Sequence, residues 1–285
     1  MIVTADDFGA AVPVNEAVER AFRQGILNTA SLMVGGMAAE DAVARARSLP
    51  RLRVGLHLVL ARGRPVLPAG EVPLLVDADG NFSNRLVLAG VRYAVSPAAR
   101  RQLAAEIRAQ FELFRATGLT LDHVNAHNHL HLHPTVLGLM LQIGRDFGLT
   151  AVRLPHEPFA FSWRAVPDDF ARRLTNDLLL RPLIAYCRRR FARHGIAAND
   201  YVFGLNDSGA MDRARVLRLL AGLPDGVSEL YFHPATGPWP EMEASARHYR
   251  HADELAALID DAVASALFEH GVERTAYGAL SPTCR

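Results

Sequence analysis

Residues 2–25 read IVTADDFGAAVPVNEAVERAFRQG, and this stretch decides the predicted fold. A short apolar strand over residues 2–5 leads to the acidic pair Asp6 and Asp7. A segment whose apolar residues recur at helical spacing follows, and Gly25 stands where a C-terminal helix cap belongs. A strand, a polar turn and an amphipathic helix in this order are typical of a parallel α/β protein.

The same unit recurs along the chain. Further candidate strands lie near residues 29–34, 53–59, 121–126, 150–154, 201–204 and 228–233. Helical patterns separate most of them, and residues 274–277 offer an eighth strand. Because this alternation runs without a break in composition, it predicts a single-domain (β/α) barrel of seven or eight parallel strands. The 285 residues suit one such domain, since α/β barrels commonly occupy about 250 residues.

Two stretches interrupt this rhythm within the single domain 1–285. Residues 61–96 are rich in glycine and proline, and we expect them to form a lid-like or substrate-binding insertion. Residues 155–194 are aromatic and proline-rich at first and then helical. Between Arg164 and Arg193 this segment holds eight arginines and three aspartates, a local excess of five positive charges.

The composition excludes several classes of protein. All 31 basic residues are arginine, so there is no lysine for a phosphate-binding P-loop or a Schiff base. A net charge of +1 gives no broad positive field for nucleic acid. The two cysteines, Cys187 and Cys284, lack the spacing of a zinc site or a disulfide framework. Without a signal-peptide pattern or a long apolar run, we expect a cytoplasmic protein.

Five polar residues fall at the ends of predicted strands. Asp6 and Asp7 follow the first strand, and His57 ends the third. Two later strands end at Arg153 and His233. The carboxyl ends of barrel strands meet at one rim, where active sites of this fold are built. Taken singly, each residue also has a structural interpretation: helix caps or solvated charges for the acids, core or turn residues for the histidines, and a surface ion pair for the arginine.

The densest signal follows the fourth strand, in Asn125-Ala126-His127-Asn128-His129-Leu130-His131-Leu132-His133-Pro134. Four of the twelve histidines fall in this tract, which packing alone does not explain. In an extended segment alternate side chains point to one side, so all four imidazoles would share a face. Because imidazole is the commonest metal ligand in proteins, we expect at least one of them to bind a metal. The others are expected to support it or to contact substrate.

Four motifs occur in a characteristic order: Thr4-Ala5-Asp6-Asp7-Phe8-Gly9, Gly55-Leu56-His57-Leu58, the histidine tract with its proline, and His233-Pro234. In this order they resemble the YdjC-type carbohydrate deacetylases, a family that includes chitooligosaccharide deacetylases. The likeness spans almost the whole chain. It implies a distorted barrel of the NodB/YdjC type and a metal-dependent hydrolysis of an N-acetyl amino sugar, with release of acetate and a free amine.

The resemblance also implies roles for individual residues. Asp7, His57 and His127 would be the ligands of one divalent ion, Zn²⁺ or Mg²⁺. Asp6 would be the general base and His233 a general acid. Contacts to substrate, or support of the ligands, would fall to Asn125, His129, His131 and Arg153. Asn125 stands where relatives often carry aspartate, which leaves the orienting role of that acid open.

Within the family, residues 30–35, 55–60 and 76–80 are most similar to the hopanoid-biosynthesis group HpnK. That likeness implies a substrate in which an N-acetylglucosaminyl group is attached to a hopanoid lipid. The arginine-rich helix and the aromatic residues before it could then touch the inner face of a membrane. A solvated outer helix is an equally good interpretation of the same residues.

Other functions stay open at this point. The substrate could be a soluble chitooligosaccharide. A phosphoesterase on the same barrel would need a second metal and more ligands. A non-catalytic protein that binds a metal or a lipid would tolerate loss of the Asp6 carboxylate. No nucleic-acid partner is expected, and the sequence favours no oligomeric state.

Overall fold

The computed structural model describes residues 1–240, 242 and 246–281, and Cys284 lies outside the described residues. Within them, a sheet of six parallel strands forms the centre of the molecule. The strands are β1 (Ile2–Phe8), β2 (Thr29–Leu32), β3 (Arg53–Leu58), β4 (Leu121–Ala126), β5 (Tyr201–Phe203) and β6 (Ser228–Phe232). Their order across the sheet is β4-β3-β2-β1-β6-β5, and every neighbouring pair is parallel.

Helices connect the strands and cover the sheet. They are α1 (Val12–Gln24), α2 (Ala39–Ser48), α3 (Leu86–Val95), α4 (Pro97–Ala116), α5 (Pro134–Gly144), α6 (Phe159–Ala165), α7 (Phe170–His194), α8 (Arg213–Leu220), α9 (His251–Leu258) and α10 (Asp261–Glu269). Short 3-10 helices span His127–Leu132, Arg145–Phe147 and Tyr277–Ala279.

The sheet is buried on both faces, as a parallel sheet requires. Every residue of β2 and β6 is buried. The amphipathic segment after β1 forms the predicted helix, and its buried face includes Val14, Ala17 and Val18. Polar side chains on such strands lose contact with water, so they are stable there only when paired with one another or with a ligand.

The prediction of seven or eight strands is wrong, because two of the candidate strands form no ladder. The 150–154 segment forms only isolated bridges, Val152 with Val124 of β4 on one side and Ala151 with Ala197 on the other. The 274–277 segment instead enters a 3-10 helix. The sheet is therefore an open half-barrel, and the 150–154 segment lies beside its β4 edge, between β4 and Ala197.

The two interrupting stretches are folded onto the helices around this sheet. Residues 61–96 form a long loop and α3, and the loop is anchored to α4 because the Glu106 carboxylate accepts the backbone N–H groups of Val66 and Leu67. Residues 155–194 form α6 and α7. Among the residues that the structure describes, no helix combines the length and apolarity needed to cross a bilayer.

Candidate active site

A β-bulge at the end of β1 directs two acids into the same cavity. Pairing with β2 passes from Ala5 opposite Ala30 to Phe8 opposite Leu32, so two residues of β1 face one of β2. Those two residues are the predicted pair of acids, Asp6 and Asp7, and both line the cavity. Asp7 has a φ of 62°, a left-handed conformation that is uncommon for residues other than glycine. In a regular strand, adjacent side chains would point to opposite faces of the sheet. Because of the bulge, Asp6 and Asp7 do not follow this alternation.

Three predicted ligands converge beside this bulge. The Asp7 Oδ1 atom lies 3.4 Å from His57 Nε2 and 3.3 Å from His127 Nδ1. Two ligands of one tetrahedral zinc ion are about 3.3 Å apart when each lies about 2.0–2.1 Å from the metal. Asp7 Oδ1 and His57 Nε2 are also buried without a hydrogen-bond partner, which is costly unless a cation occupies the space between them. The residues present therefore fit a divalent cation.

Asn125 orients one of these ligands. Its Oδ1 atom lies 2.7 Å from His57 Nδ1, and its Nδ2 group donates to Asp6 Oδ1 at 3.1 Å. Because Asp6 can only accept, the amide nitrogen of Asn125 faces Asp6 and the amide oxygen faces His57. His57 consequently carries its proton on Nδ1 and presents a lone pair at Nε2 to the cation position. An aspartate at this position could accept from His57 but could not donate to Asp6.

Asp6 is held in a fully buried ion pair. Arg153 donates to Asp6 Oδ2 at 2.6 Å and to Oδ1 at 3.0 Å, and its other edge binds Glu229 through two contacts of 2.8 Å. Arg153 is fully buried, so it forms no surface ion pair; it pairs instead with the carboxylate of Asp6. Burial opposes ionisation of Asp6, but the charge and hydrogen bonds of Arg153, together with smaller contributions from His57 and His233, outweigh it and lower the pKa of Asp6 well below its ordinary value. Asp6 is therefore a carboxylate at neutral pH.

His233 reaches the cavity from the end of β6. Its main chain is clamped on both sides, because its N–H donates to Glu254 Oε2 at 2.5 Å and its carbonyl accepts from His251 Nδ1 at 2.5 Å. The ring lies 5.0 Å from that of Tyr249. Burial lowers the pKa of His233, against the opposing effect of the nearby Asp7 carboxylate. His233 is therefore placed to exchange a proton with a group in the cavity.

The prediction that all four histidines of the tract share one face is wrong. Residues 127–132 form a 3-10 helix, in which Asn128 and His129 adopt left-handed backbone conformations with φ of 54° and 52°. The chain therefore turns instead of extending, and successive imidazoles point in different directions. His127 joins the candidate metal ligands, whereas the His133 ring lies 6.5 Å from that of Tyr93.

The other two histidines of the tract have separate surroundings. His129 lines the cavity, with Nε2 3.3 Å from the Tyr231 hydroxyl. His131 is fully buried and donates from Nε2 to the carbonyl oxygen of Arg153 at 3.0 Å. Burial lowers the pKa of His131 to about 3, so this imidazole stays neutral. Of the four residues predicted to bind substrate or support ligands, His129 is the one that lines the cavity, whereas Asn125, His131 and Arg153 lie behind its wall.

The cavity has a volume of about 700 Å³, which suits a sugar unit with part of its substituent. The 61–96 insertion supplies part of the wall, including Arg62 and Arg64. Aromatic side chains from the opposite side include Trp239 and Tyr249, which sequence reasoning missed. It also missed Glu229, although a charged residue in the apolar run of β6 was a signal that a buried partner existed.

Comparisons with known proteins place the chain among carbohydrate deacetylases of one family. The family model described as YdjC-like protein matches residues 1–269. The carbohydrate deacetylase of Geobacillus stearothermophilus is 31% identical over 278 residues, which cover 97% of this chain and 96% of that protein. That of Homo sapiens is 32% identical over 251 residues, 82% of this chain and 74% of its own. A crystal structure from Enterococcus faecalis V583, for which a role in cellobiose-phosphate cleavage has been suggested, has the same fold, with a TM-score of 0.72, 22% identity and 98% coverage of both chains.

Proposed function

The chain belongs to the YdjC family, and from this premise we propose that it is a carbohydrate deacetylase that hydrolyses the acetamide of an N-acetyl amino sugar. The observation that carries the proposal is the convergence of Asp7, His57 and His127 within 4.8 Å of one another, in the cavity that Asp6 also lines. A phosphoesterase would need a second metal, and the described residues contain one such group of ligands.

The side chains around this cavity supply the remaining chemistry. When bound, a divalent cation would polarise the acetyl carbonyl and lower the pKa of water in the site. Asp6 would accept a proton from the attacking water, and its low pKa keeps it in the ionised form that this requires. In its protonated form, His233 would donate a proton to the sugar nitrogen as the C–N bond breaks. Acetate and a free amine would leave.

Two imidazoles and one carboxylate favour Zn²⁺ as the cation, and Mg²⁺ is the alternative. Zinc accepts nitrogen ligands in a tetrahedral arrangement, whereas Mg²⁺ prefers six oxygen ligands. The donor spacing beside Asp7 Oδ1 matches the tetrahedral case. We therefore propose zinc, and metal analysis of the purified protein together with reconstitution with each ion tests this.

We further propose that the substrate is an N-acetylglucosaminyl group linked to a hopanoid lipid, and that the protein works on the inner face of the membrane. An exposed apolar surface, here called the α6–α7 surface, supports this. It is formed by Trp163 and Phe170, whose exposed fractions are 38% and 51% and whose ring centroids lie 5.5 Å apart. Glu157 links α6 to the cavity wall, because it accepts from Ser162 of α6 and from the N–H of the cavity residue Leu205.

Mass spectrometry of candidate substrates tests the proposal. Metal-loaded protein would be incubated with soluble chitooligosaccharides and with lipid-linked N-acetylglucosamine. We expect loss of one acetyl group from the lipid-linked substrate, whereas loss from the soluble one alone would identify a chitooligosaccharide deacetylase. Asp6→Asn should retain its metal and lose turnover. Full activity of that variant, or no acetyl loss from either substrate, would overturn the proposed reaction.

A further inference from the structure

Three buried polar residues next to the active site have no part in the chemistry above. Ser31 on β2 and His123 on β4 are fully buried, and Asp122 is 5% exposed. None of the three lines the cavity. Buried polar groups are retained in such a sheet only when they are paired, so their partners indicate what they do.

These residues form a continuous row of hydrogen bonds that ends at a metal ligand. Asp122 Oδ2 lies 3.1 Å from His123 Nδ1, and His123 Nε2 lies 3.1 Å from Ser31 Oγ. The Asn125 Nδ2 group donates to Ser31 Oγ at 2.9 Å. Asn125 Oδ1 in turn lies 2.7 Å from His57 Nδ1.

The direction of every bond in the row follows from its two ends. Asn125 Nδ2 has two hydrogens, one for Asp6 and one for Ser31. Since Ser31 Oγ accepts from Asn125, its own hydrogen is free to point to His123 Nε2. His123 then carries its proton on Nδ1 and donates it to the Asp122 carboxylate. All four donors in the row have an acceptor, and the arrangement leaves one orientation for the Asn125 amide.

The row is also held in place by its surroundings. A Cβ atom at Gly55 on β3 would lie 2.3 Å from the His123 ring, so the absence of a side chain there makes room for the imidazole. Tyr277 stacks on the other side, with ring centroids 4.6 Å apart. The Gly278 N–H donates to the second oxygen of Asp122 at 3.0 Å.

We propose that Asp122, His123 and Ser31 are positioning residues that act together with Asp6, through Asn125, to fix the tautomer of the metal ligand His57. A Ser-His-Asp row also occurs in hydrolases that use serine as nucleophile. Ser31 is fully buried and outside the cavity wall, so no substrate carbonyl reaches it. The inference rests on the proposed metal site, because His57 matters to the cation only as a ligand.

Two substitutions of one residue test the direction of the bonds. His123→Leu removes the acceptor for Ser31, whereas His123→Gln retains a carbonyl that can accept and an amide that can donate. We expect His123→Leu to weaken zinc binding by about tenfold in calorimetry, in the range typical of residues that support a ligand. His123→Gln should recover most of that affinity. Leu103→Ala on α4 truncates the core away from the row, and it should lower the unfolding temperature without changing zinc affinity.

The tautomer of His57 can be read in the metal-free protein by ¹⁵N NMR of the imidazole. The native chain should show a proton on Nδ1, and His123→Leu should give a mixture of tautomers. Ser31→Ala provides the same test if His123→Leu fails to fold. An unchanged tautomer in a folded variant, or equal loss of zinc affinity in the leucine and glutamine variants, would overturn the inference. Absence of zinc binding by the native chain would instead contradict the proposed metal site, which leaves the two failures distinguishable.

Discussion

Asp7 is both a residue with a strained backbone conformation and a candidate metal ligand. Its left-handed conformation costs on the order of 1 kcal/mol or more for a residue that carries a side chain. The same conformation brings its carboxylate to His57 and His127. Strain of this kind persists where the surroundings hold it, and here the β-bulge and the ligand geometry do so together.

The variant Asp7→Asn separates the effect of the strained backbone from the effect of the carboxylate charge. Asparagine tolerates the left-handed region and has nearly the same size, so the metal-free variant should unfold within about 1 kcal/mol of the native chain. It lacks the negative charge, and zinc affinity should fall by at least about a hundredfold. Urea unfolding and calorimetry measure the two quantities. Native-like zinc affinity would show that the cation is held without this carboxylate.

Arg153 is the residue whose loss should be least tolerated. It lies fully buried between the carboxylates of Asp6 and Glu229, so Arg153→Met would leave two buried acids without their shared cation. Breaking a buried pair in this way costs about 3–5 kcal/mol. Adding Glu229→Gln should recover part of that loss because one of the stranded charges is removed. Urea unfolding of the single and double variants measures this, and a double variant less stable than the single one would contradict it.

Glu254 gives the stability of the protein a pH dependence of definite sign. Burial raises the pKa of its carboxyl to about 7 from an ordinary 4.5, despite hydrogen bonds from the His233 and Met211 backbones. Between these values the folded chain holds the proton more tightly than the unfolded one. The contribution of the protonated Glu254 carboxyl to the free energy of unfolding is therefore complete below pH 4.5 and is lost as the pH rises to about 7.

Glu254→Gln should remove this dependence. On raising the pH from about 5 to about 8, the native chain should lose up to about 3 kcal/mol more stability than the variant. Urea unfolding of both proteins at the two pH values gives the difference directly. Equal losses in the two proteins would mean that the carboxyl has the same proton affinity folded and unfolded.

At the scale of elements, the sequence predicted each strand that forms a ladder. Apolar runs such as 53–59 and 228–233 lie between polar turns, and burial on both faces demands that composition. The 150–154 segment has the same composition but pairs through single bridges with two neighbours. The composition of a segment indicates that it is buried, but it does not indicate which backbone groups its N–H and C=O groups bind. The number of strands in the sheet could therefore not be predicted from composition.

The ligands of the candidate site could be predicted from the sequence, but part of the geometry around them could not. Asp7, His57 and His127 are far apart in sequence, but parallel strands bring their carboxyl ends to one edge. The turn at Asn128 could not be foreseen, because left-handed backbone at a residue other than glycine depends on tertiary contacts. Ser31 likewise has no signal in sequence, since its role depends on which strands are neighbours.

The insertion formed by residues 61–96 has a buried anchor on α4. Glu106 is fully buried and accepts the N–H groups of Leu67 and of Val66, which lines the cavity. Glu106→Ala should release this loop and raise KM severalfold, while zinc affinity stays unchanged because no ligand lies on the insertion. Glu106→Gln keeps one acceptor oxygen and should give an intermediate KM. Steady-state kinetics with calorimetry decides the matter, and an unchanged KM in both variants would show that the loop is held by other contacts.

At the scale of the whole molecule, exposed aromatic residues and arginines occur together on α6 and α7. The α6–α7 surface carries exposed aromatic side chains, and the later turns of α7 add exposed arginines at 188, 189 and 193. The aspartates of this region are paired: Asp168 with Arg173, Asp169 with Arg172, and Asp177 with Arg181. Exposed aromatic rings on the same helices as these arginines suit the interface of an anionic bilayer, into which aromatic rings insert while guanidinium groups stay among the lipid headgroups.

This arrangement predicts binding to anionic vesicles that is separate from catalysis. The double variant Trp163→Ser with Phe170→Ser should sediment about tenfold less with vesicles that contain phosphatidylglycerol, since two partly inserted side chains together contribute more than about 1.4 kcal/mol. Deacetylation of a soluble substrate should be unchanged. Phe268→Ser on α10 is the matched control, because Phe268 is 88% exposed and lies outside the surface. Equal effects of the two variants, or equal binding to pure phosphatidylcholine vesicles, would mean that the surface contacts something other than an anionic membrane. A change in molar mass of the double variant by light scattering would identify that partner as a second copy of the chain.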